Sequence, residues 1–497
     1  MLNEYWKHFK SGTDIRAVAM DGVEGEPLDL TDEAVASILS AFAVWLSEKS
    51  GKPCEELTVS LGRDSRLSGP RICEAAAAAL VSAGVTVLDC GLASTPAMFM
   101  TTVDLACDGA VQVTASHHPW HRNGLKFFVP SGGVESGDIT AILTLAQEGI
   151  SHTGEGGKRL PTDYMTRYAA RLRDLIVRET GGDEQPLNGL HIVVDAGNGV
   201  GGFYADHVLK ALGADVSGSQ FLDPDGRFPN HIPNPENPEA MASICAAVLN
   251  AKADLGVIFD TDVDRAGCVG ADGREINRNR LVALASAIAL EGNDGGTIVT
   301  DSITSTGLKY FIEDVLGGVH CRFKRGYKNV INESLRLNEL GVNSPLAIET
   351  SGHAALRENY FLDDGAYLVT KIIIKAVNLR REGKTLDDLI AALPEPKESI
   401  EVRYTIGEQD FRAYGERVLA DLEAYAVAHG WDVADDSREG VRVSFDGEHG
   451  DGWFLLRLSV HDPVMPLNVE SNREGGCTQI LAQLQPFMEQ QSSLTKK

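Results

Sequence analysis

The chain predicts an α/β protein of several domains, on three observations. Short apolar runs of strand length alternate with segments of helix length, the rhythm of β-α-β units. At 497 residues, a prior of roughly 150 residues per domain suggests three or four domains, each able to bury a core. Hydrophobic and charged residues make up 43% and 23%, as in ordinary globular chains.

Taken in order, residues 57–61 read as a strand, the alanine-rich 71–83 as a helix and 85–88 as the next strand. Residues 109–113, 191–194, 215–216, 255–259 and 298–300 repeat the strand signal. Glycine-rich 151–157, then 291–296, then Pro394-Glu395-Pro396, mark candidate boundaries. From 400 onward the pattern fits a smaller α+β unit, and the final Ser-Ser-Leu-Thr-Lys-Lys is expected to be disordered.

Net charge is −26, which argues against a nucleic-acid or anionic-membrane partner. The eight cysteines form no CxxC pair and are expected to be reduced, in a cytoplasmic protein. The first residues lack the apolar core of a signal peptide, and no stretch approaches the ~20 apolar residues of a membrane span.

Three segments that follow apolar runs carry chemistry. The first is Thr114-Ala115-Ser116-His117-His118-Pro119, with Asn123, Gly124 and Lys126 behind it. The second is Asp260-Thr261-Asp262-Val263-Asp264-Arg265. Its carboxylates, spaced by two, point one way if the backbone is extended or gently turning. They repel unless a cation sits among them, and oxygen-only ligands favour Mg²⁺, Mn²⁺ or Ca²⁺ over zinc. An EF-hand is excluded, because its required Gly and Glu positions hold Arg265 and Ala271. The third segment is Glu349-Thr350-Ser351-Gly352-His353. Together they suggest a phosphoryl-carrying serine, a divalent metal and a polyhydroxylated substrate.

Two segments compete for attention. Gly197-Asn198-Gly199-Val200-Gly201-Gly202 fits the dinucleotide fingerprint G-x-G-x-x-G, with Asp223 beyond it. The alternative is a tight strand-to-helix turn, which leaves the serine and aspartate loops their roles. The proline-rich 229–238 reads as a rigid loop near the cleft. His118 and His121 lack further ligands for a zinc site.

The motifs resemble the α-D-phosphohexomutases, the family of phosphoglucomutase, phosphomannomutase and phosphoglucosamine mutase. Thr114 to Pro119 match the family's T-A-S-H-N-P with His118 in place of Asn, and Asn123, Gly124 and Lys126 match N-G-x-K. Asp260 to Arg265 match D-x-D-x-D-R in full. Glu349, Ser351, Gly352 and His353 match G-E-x-S-G-H, with Ile348 in place of Gly. Gly12-Thr13-Asp14-Ile15-Arg16 matches G-T-x-x-R, and Gly62-Arg63-Asp64-Ser65-Arg66 matches G-x-D-x-R. The last loop departs: Arg457, Ser459 and Pro463 fit R-x-S-N-T-E-P, but Val460 and His461 replace Asn and Thr, and Asn468 stands where a later Arg is common.

The resemblance implies three similar α/β domains and a smaller C-terminal α+β domain around a central cleft, here 1–157, 158–293, 294–394 and 395–497. It implies an intramolecular phosphotransferase that interconverts hexose 1-phosphate and hexose 6-phosphate, of mannose or glucose, with glucosamine phosphate as the alternative. Ser116 would carry the phosphoryl group, and Ser116, Asp260, Asp262 and Asp264 would hold Mg²⁺. Lys126 and His353 are the proton-transfer candidates, with Arg16 and Arg265 stabilising charge. Glu349, Ser351, Lys324 and Tyr327 would bind sugar, and Arg457, Ser459 and His461 the non-reacting phosphate. Glucose 1,6-bisphosphate or mannose 1,6-bisphosphate would serve as activator and intermediate. A phosphatase and a catalytically silent sugar-phosphate-binding protein are the rival readings. Arg63, Arg66 and Arg325 are expected to join the cations facing substrate.

Overall fold

A computed structural model describes residues 2–459 and 462–497. The chain forms two compact units, 1–281 with 351–388, and 282–350 with 389–497. The fold is α/β as expected, and its sheets explain where the loops of interest emerge.

The first unit opens with an eight-stranded sheet. Its centre is Thr58–Arg63, flanked in parallel by Thr86–Leu92 and Gly109–Val113. Every residue of Gly109–Val113 is buried, as expected for a strand covered on both faces. Helices Asp32–Ser50 and Gly69–Ser82 supply part of that cover, and Thr31 caps the first through the Ala34 N–H at 3.2 Å. The register pairs Arg63 with Val113, so the segments after both strands leave the sheet side by side. The chain returns antiparallel as Arg122–Val129, setting Lys126 opposite Gln112 and Gly124 opposite Arg16. A Cβ on Gly124 would lie 2.1 Å from the Ile15 carbonyl oxygen, so only glycine allows this approach.

A second sheet in this unit has the order Glu275–Ile276, Ala266–Gly270, Leu255–Phe259, Ile192–Asp195. The aspartate segment is the connection between Leu255–Phe259 and its antiparallel neighbour Ala266–Gly270. Residues 215–216 do not form the expected strand; Asp215 makes only an isolated bridge to His191. The glycine fingerprint is a structural brace. A Cβ on Gly199 would lie 2.6 Å from the Thr261 carbonyl oxygen, and one on Gly202 2.3 Å from that of Leu222. Val200 N–H donates to Thr261 at 2.9 Å. Gly199 thus admits the backbone of the aspartate loop and Gly202 that of Leu222, so close backbone packing accounts for the fingerprint.

In the second unit, Thr297–Thr300 lies parallel to both Val319–Arg322 and Leu346–Ile348. Its C-terminal part is a six-stranded antiparallel sheet covered by helices Phe411–Ala428 and Gly476–Met488. The tail expected to be disordered instead supplies the edge strand Leu494–Lys496, paired with Glu398–Ile406. Local polarity hid this, because an edge strand needs backbone partners more than apolar side chains. Among the described residues, no helix is long and apolar enough to cross a membrane. All eight cysteines are free thiols.

Candidate active site

The serine loop is held mainly through its backbone. Ser116 N–H donates to Thr114 Oγ1 at 2.9 Å, and the Thr114 hydroxyl donates to Asp64 Oδ2 at 2.7 Å. Arg66 is wholly buried and donates to the carbonyls of Ser116 (2.5 Å), His118 (2.7 Å), Pro119 (2.8 Å) and Arg122 (3.0 Å). Its guanidinium is therefore spent on the loop, not on substrate as the charge pattern suggested. So constrained, Ser116 sits at φ +52°, a conformation that costs energy for a residue with a Cβ. Its Oγ lies 3.0 Å from Arg265 Nη2 and 3.2 Å from Asp260 Oδ2.

The three aspartates converge through a tight turn, not an extended strand. Val263 N–H donates to the Asp260 carbonyl at 3.4 Å, and buried Val263 takes φ +67°, an outlier for a β-branched residue. Gly365 N–H pins the turn by donating to the Val263 carbonyl at 3.1 Å. The ligand atoms of Asp260, Asp262 and Asp264 lie within 4.8 Å of one another. Burial, then repulsion by Asp264 and Asp262, pushes the Asp260 carboxyl well above the usual range. Oδ1 of Asp262 and Oδ1 of Asp264 are buried with no hydrogen-bond partner. Oxygen-only and mutually repelling, with two oxygens lacking hydrogen bonds, this donor set fits a hard divalent cation such as Mg²⁺.

Cations surround the carboxylates. Arg265 Nε donates to Asp260 Oδ2 at 3.2 Å, and its Nη1 donates to Asn234 Oδ1 at 3.2 Å, so the proline-rich loop braces this arginine. Lys126 Nζ donates to Asp262 at 3.2 Å and also to Asp264. Burial opposes ionisation of Asp264, but Lys126, His353 and Arg265 hold its carboxyl far below the usual range. Arg16 donates to Asp14 at 2.8 Å on the strand beside Lys126. Nδ1 of His117 faces Arg265 Nη2 at 2.5 Å; since a guanidinium only donates, this nitrogen accepts. Burial and then Arg265 push the His117 pKa far down, which makes it a neutral shaper of the loop.

His353 gains a partner that the motifs did not reveal. Its Nδ1 lies 2.5 Å from Asp363 Oδ2 and 3.9 Å from Asp264 Oδ1. Asp363 is brought back by the small antiparallel pair Ala354–Leu356 and Leu362–Asp363. Burial disfavours the imidazolium, but the carboxylates of Asp363 and Asp264 outweigh it and raise the pKa to about 9. A histidine whose pKa is raised on folding stabilises fully below its unfolded pKa near ~6.5 and loses that contribution as pH climbs through the folded value. In metal-chelated protein, the urea midpoint is therefore expected to fall more steeply toward about pH 9 in the wild type than in Asp363→Asn. Parallel curves would remove Asp363 from this role.

The second unit gathers its own polar set. Lys324 is exposed at the head of a turn, and Tyr327 begins the helix Tyr327–Glu339. Glu349 Oε1 accepts the Gly326 N–H at 2.6 Å. Asp301, unmarked by any motif, accepts the Thr350 hydroxyl at 2.7 Å and lies 3.9 Å from Arg325 Nε. Arg457 follows the strand Gly452–Leu456, and Ser459 Oγ accepts the Asp462 N–H at 3.3 Å. Asn468 donates to Glu401 at 3.2 Å. Buried Ser351 belongs to the first unit, so the Glu349 to His353 segment is divided between the two. His461 lies outside the described residues.

Comparison with known proteins agrees along the chain. Family profiles described as phosphoglucomutase/phosphomannomutase, alpha/beta/alpha domains I, II and III, match residues 14–151, 167–273 and 277–396. A phosphomannomutase/phosphoglucomutase of Pseudomonas putida is 31% identical over 84% of this chain and 84% of its own. A phosphoglucomutase of Neisseria gonorrhoeae is 30% identical over 94% of each. The solved structure of a phosphoglucomutase/phosphomannomutase family protein from Burkholderia thailandensis superposes with TM-score 0.80 at 29% identity, covering 99% of this chain and 98% of that one. With three consecutive domain profiles matched and relatives aligned over most of its length, the chain belongs to the phosphoglucomutase/phosphomannomutase family.

Proposed function

We propose that this enzyme is a phosphohexomutase that interconverts hexose 1-phosphate and hexose 6-phosphate, of mannose or glucose, through a phosphoserine at 116 and a hexose 1,6-bisphosphate. The observation that carries the proposal is the buried Ser116 hydroxyl, 3.0 Å from Arg265 and 3.2 Å from Asp260. The reading assigns four domains at 1–157, 158–293, 294–394 and 395–497, in a cytoplasmic protein.

Asp260, Asp262, Asp264 and a phosphoserine oxygen would hold Mg²⁺. When bound, the ion neutralises charge on the transferring phosphoryl group. The substrate hydroxyl oxygen attacks phosphorus, the bond from phosphorus to Ser116 Oγ breaks, and the hydroxyl proton passes to a side chain. His353, kept protonated by Asp363, suits giving a proton; Lys126, the other proton-transfer candidate, can take one only after its ammonium has passed a proton to the carboxylates of Asp262 or Asp264 that it donates to. Arg265, within reach of Ser116 Oγ, stabilises the charge that develops there, with Arg16 as the second cation. Glu349, Ser351, Lys324 and Tyr327 are assigned to the sugar, and Arg457, Ser459 and His461 to the phosphate that does not react. The bisphosphate turns over and returns its other phosphoryl group to Ser116.

The test is ³¹P NMR of enzyme with Mg²⁺, a trace of glucose 1,6-bisphosphate, and glucose, mannose or glucosamine 1-phosphate in parallel. The matching 6-phosphate is expected without inorganic phosphate, and EDTA stops its formation until Mg²⁺ is restored. Inorganic phosphate as the product would make the protein a phosphatase. Binding of all three sugars without turnover would make it a silent sugar-phosphate-binding protein.

A further inference from the structure

Glu439 lies on the turn that enters strand Val441–Phe445. The next residue, Gly440, takes φ +65°, and a Cβ on it would sit 2.1 Å from the Leu456 carbonyl oxygen and 2.9 Å from Arg457 Cα. Glycine alone lets the turn press on the backbone at Arg457, which fixes the carboxylate beside that guanidinium. Glu439 Oε2 accepts the Ser302 hydroxyl at 2.6 Å and the Arg325 N–H at 3.2 Å. Its Oε1 lies 4.0 Å from Arg457 Nη1, within ion-pair reach but beyond a hydrogen bond. Arg457 Nε is buried and has no hydrogen-bond partner. An under-satisfied buried guanidinium attracts an anion, and the carboxylate next to it repels the same anion. The adjoining Gly326 N–H goes to Glu349 at 2.6 Å, so two carboxylates hold consecutive N–H groups of the turn leading into Tyr327.

We propose that Glu439 is a specificity-determining residue: a counter-ion that weakens the phosphate grip of Arg457 while fixing the Arg325-Gly326 turn for the sugar. The inference rests on the mutase reading above. Inorganic phosphate meets the repulsion and gains nothing from the turn, whereas a hexose phosphate recovers the loss through its hydroxyls. A grip kept weak in this way also lets a bisphosphate leave and rebind in the opposite sense.

Glu439→Gln keeps an acceptor for Ser302 and Arg325 but removes the charge. In metal-free calorimetry with inorganic phosphate, its Kd is expected to fall about tenfold, since a unit charge a few ångströms from the anion is lost. Arg457→Gln should lose the binding heat, which locates it at this site. In turnover, the KM of Glu439→Gln for hexose 1-phosphate is expected to fall as well, because its phosphate faces the same arginine while the turn is kept. Glu439→Ala, which frees the turn as well, should bind phosphate more tightly than wild type yet show a raised KM. Unchanged phosphate Kd in Glu439→Gln overturns the proposal. Calorimetry reads the site without turnover, so this failure is separate from that of the mutase reading, which falls if wild type does not isomerise the sugar phosphates.

Discussion

Removal of the Ser116 hydroxyl is expected to reduce isomerisation by at least about 10⁴-fold, as for nucleophiles that carry a covalent intermediate. Ser116→Gly is the better variant, because residue 116 stands at φ +52°, where glycine rests without strain and alanine does not. The loop should keep its shape, since Arg66 and Thr114 hold it through the backbone of residue 116. Intact-mass spectrometry should show a phosphorylated fraction in wild type that is missing in the variant. A variant retaining more than about one hundredth of the wild-type rate would mean that phosphate does not pass through this side chain.

The largest loss of stability is expected at Arg66. Replacing it by Met leaves Asp64 buried without its cation and takes the guanidinium donor from four carbonyls, of which that of Pro119 keeps the Arg122 N–H, at a cost of about 3–5 kcal/mol. Both side chains of the pair are 0% exposed, so solvent cannot make good the loss. Arg66→Lys should recover little, because a lysine presents three donors from one point where the guanidinium fork reaches acceptors on several sides. Urea unfolding followed by tryptophan emission measures the effect. A loss below about 1 kcal/mol would show that the loop keeps itself in place without the clamp.

Much of the serine and aspartate cluster was legible, because its parts are short, local and set directly after buried strands. Asp260, Asp262 and Asp264 declare themselves by spacing, though the turn at Val263 that brings them together does not. Asp363 was not legible: it reaches His353 across a pair of two- and three-residue strands, too short to leave an alternation pattern. Glu439 escaped for another reason, since its partners Ser302 and Arg325 lie 137 and 114 residues away. The fingerprint at Gly197 misleads because glycine serves any close backbone approach, here that of Thr261. The βαβ rhythm fixed the class of fold, while the edge strand Leu494–Lys496 is set by a backbone partner distant in sequence.

The first unit is discontinuous, left at residue 281 and re-entered at 351, and this sets the order in which the enzyme can be made. His353, Asp363 and the helix Gly365–Arg381, whose first N–H pins the Val263 turn, all belong to the returning segment. Ser116 and the aspartates therefore wait for their last supports until residue 388 has left the ribosome, roughly 20–80 s after initiation at usual elongation rates. During that interval the nascent chain holds three converging carboxylates with neither His353 nor the Gly365 contact in place, and the second unit begins to emerge before the first can close. Maturation of the serine site is thus coupled to synthesis of the returning segment 351–388, and a release factor or protease acting before it would meet a protein that has its nucleophile but not yet its enzyme.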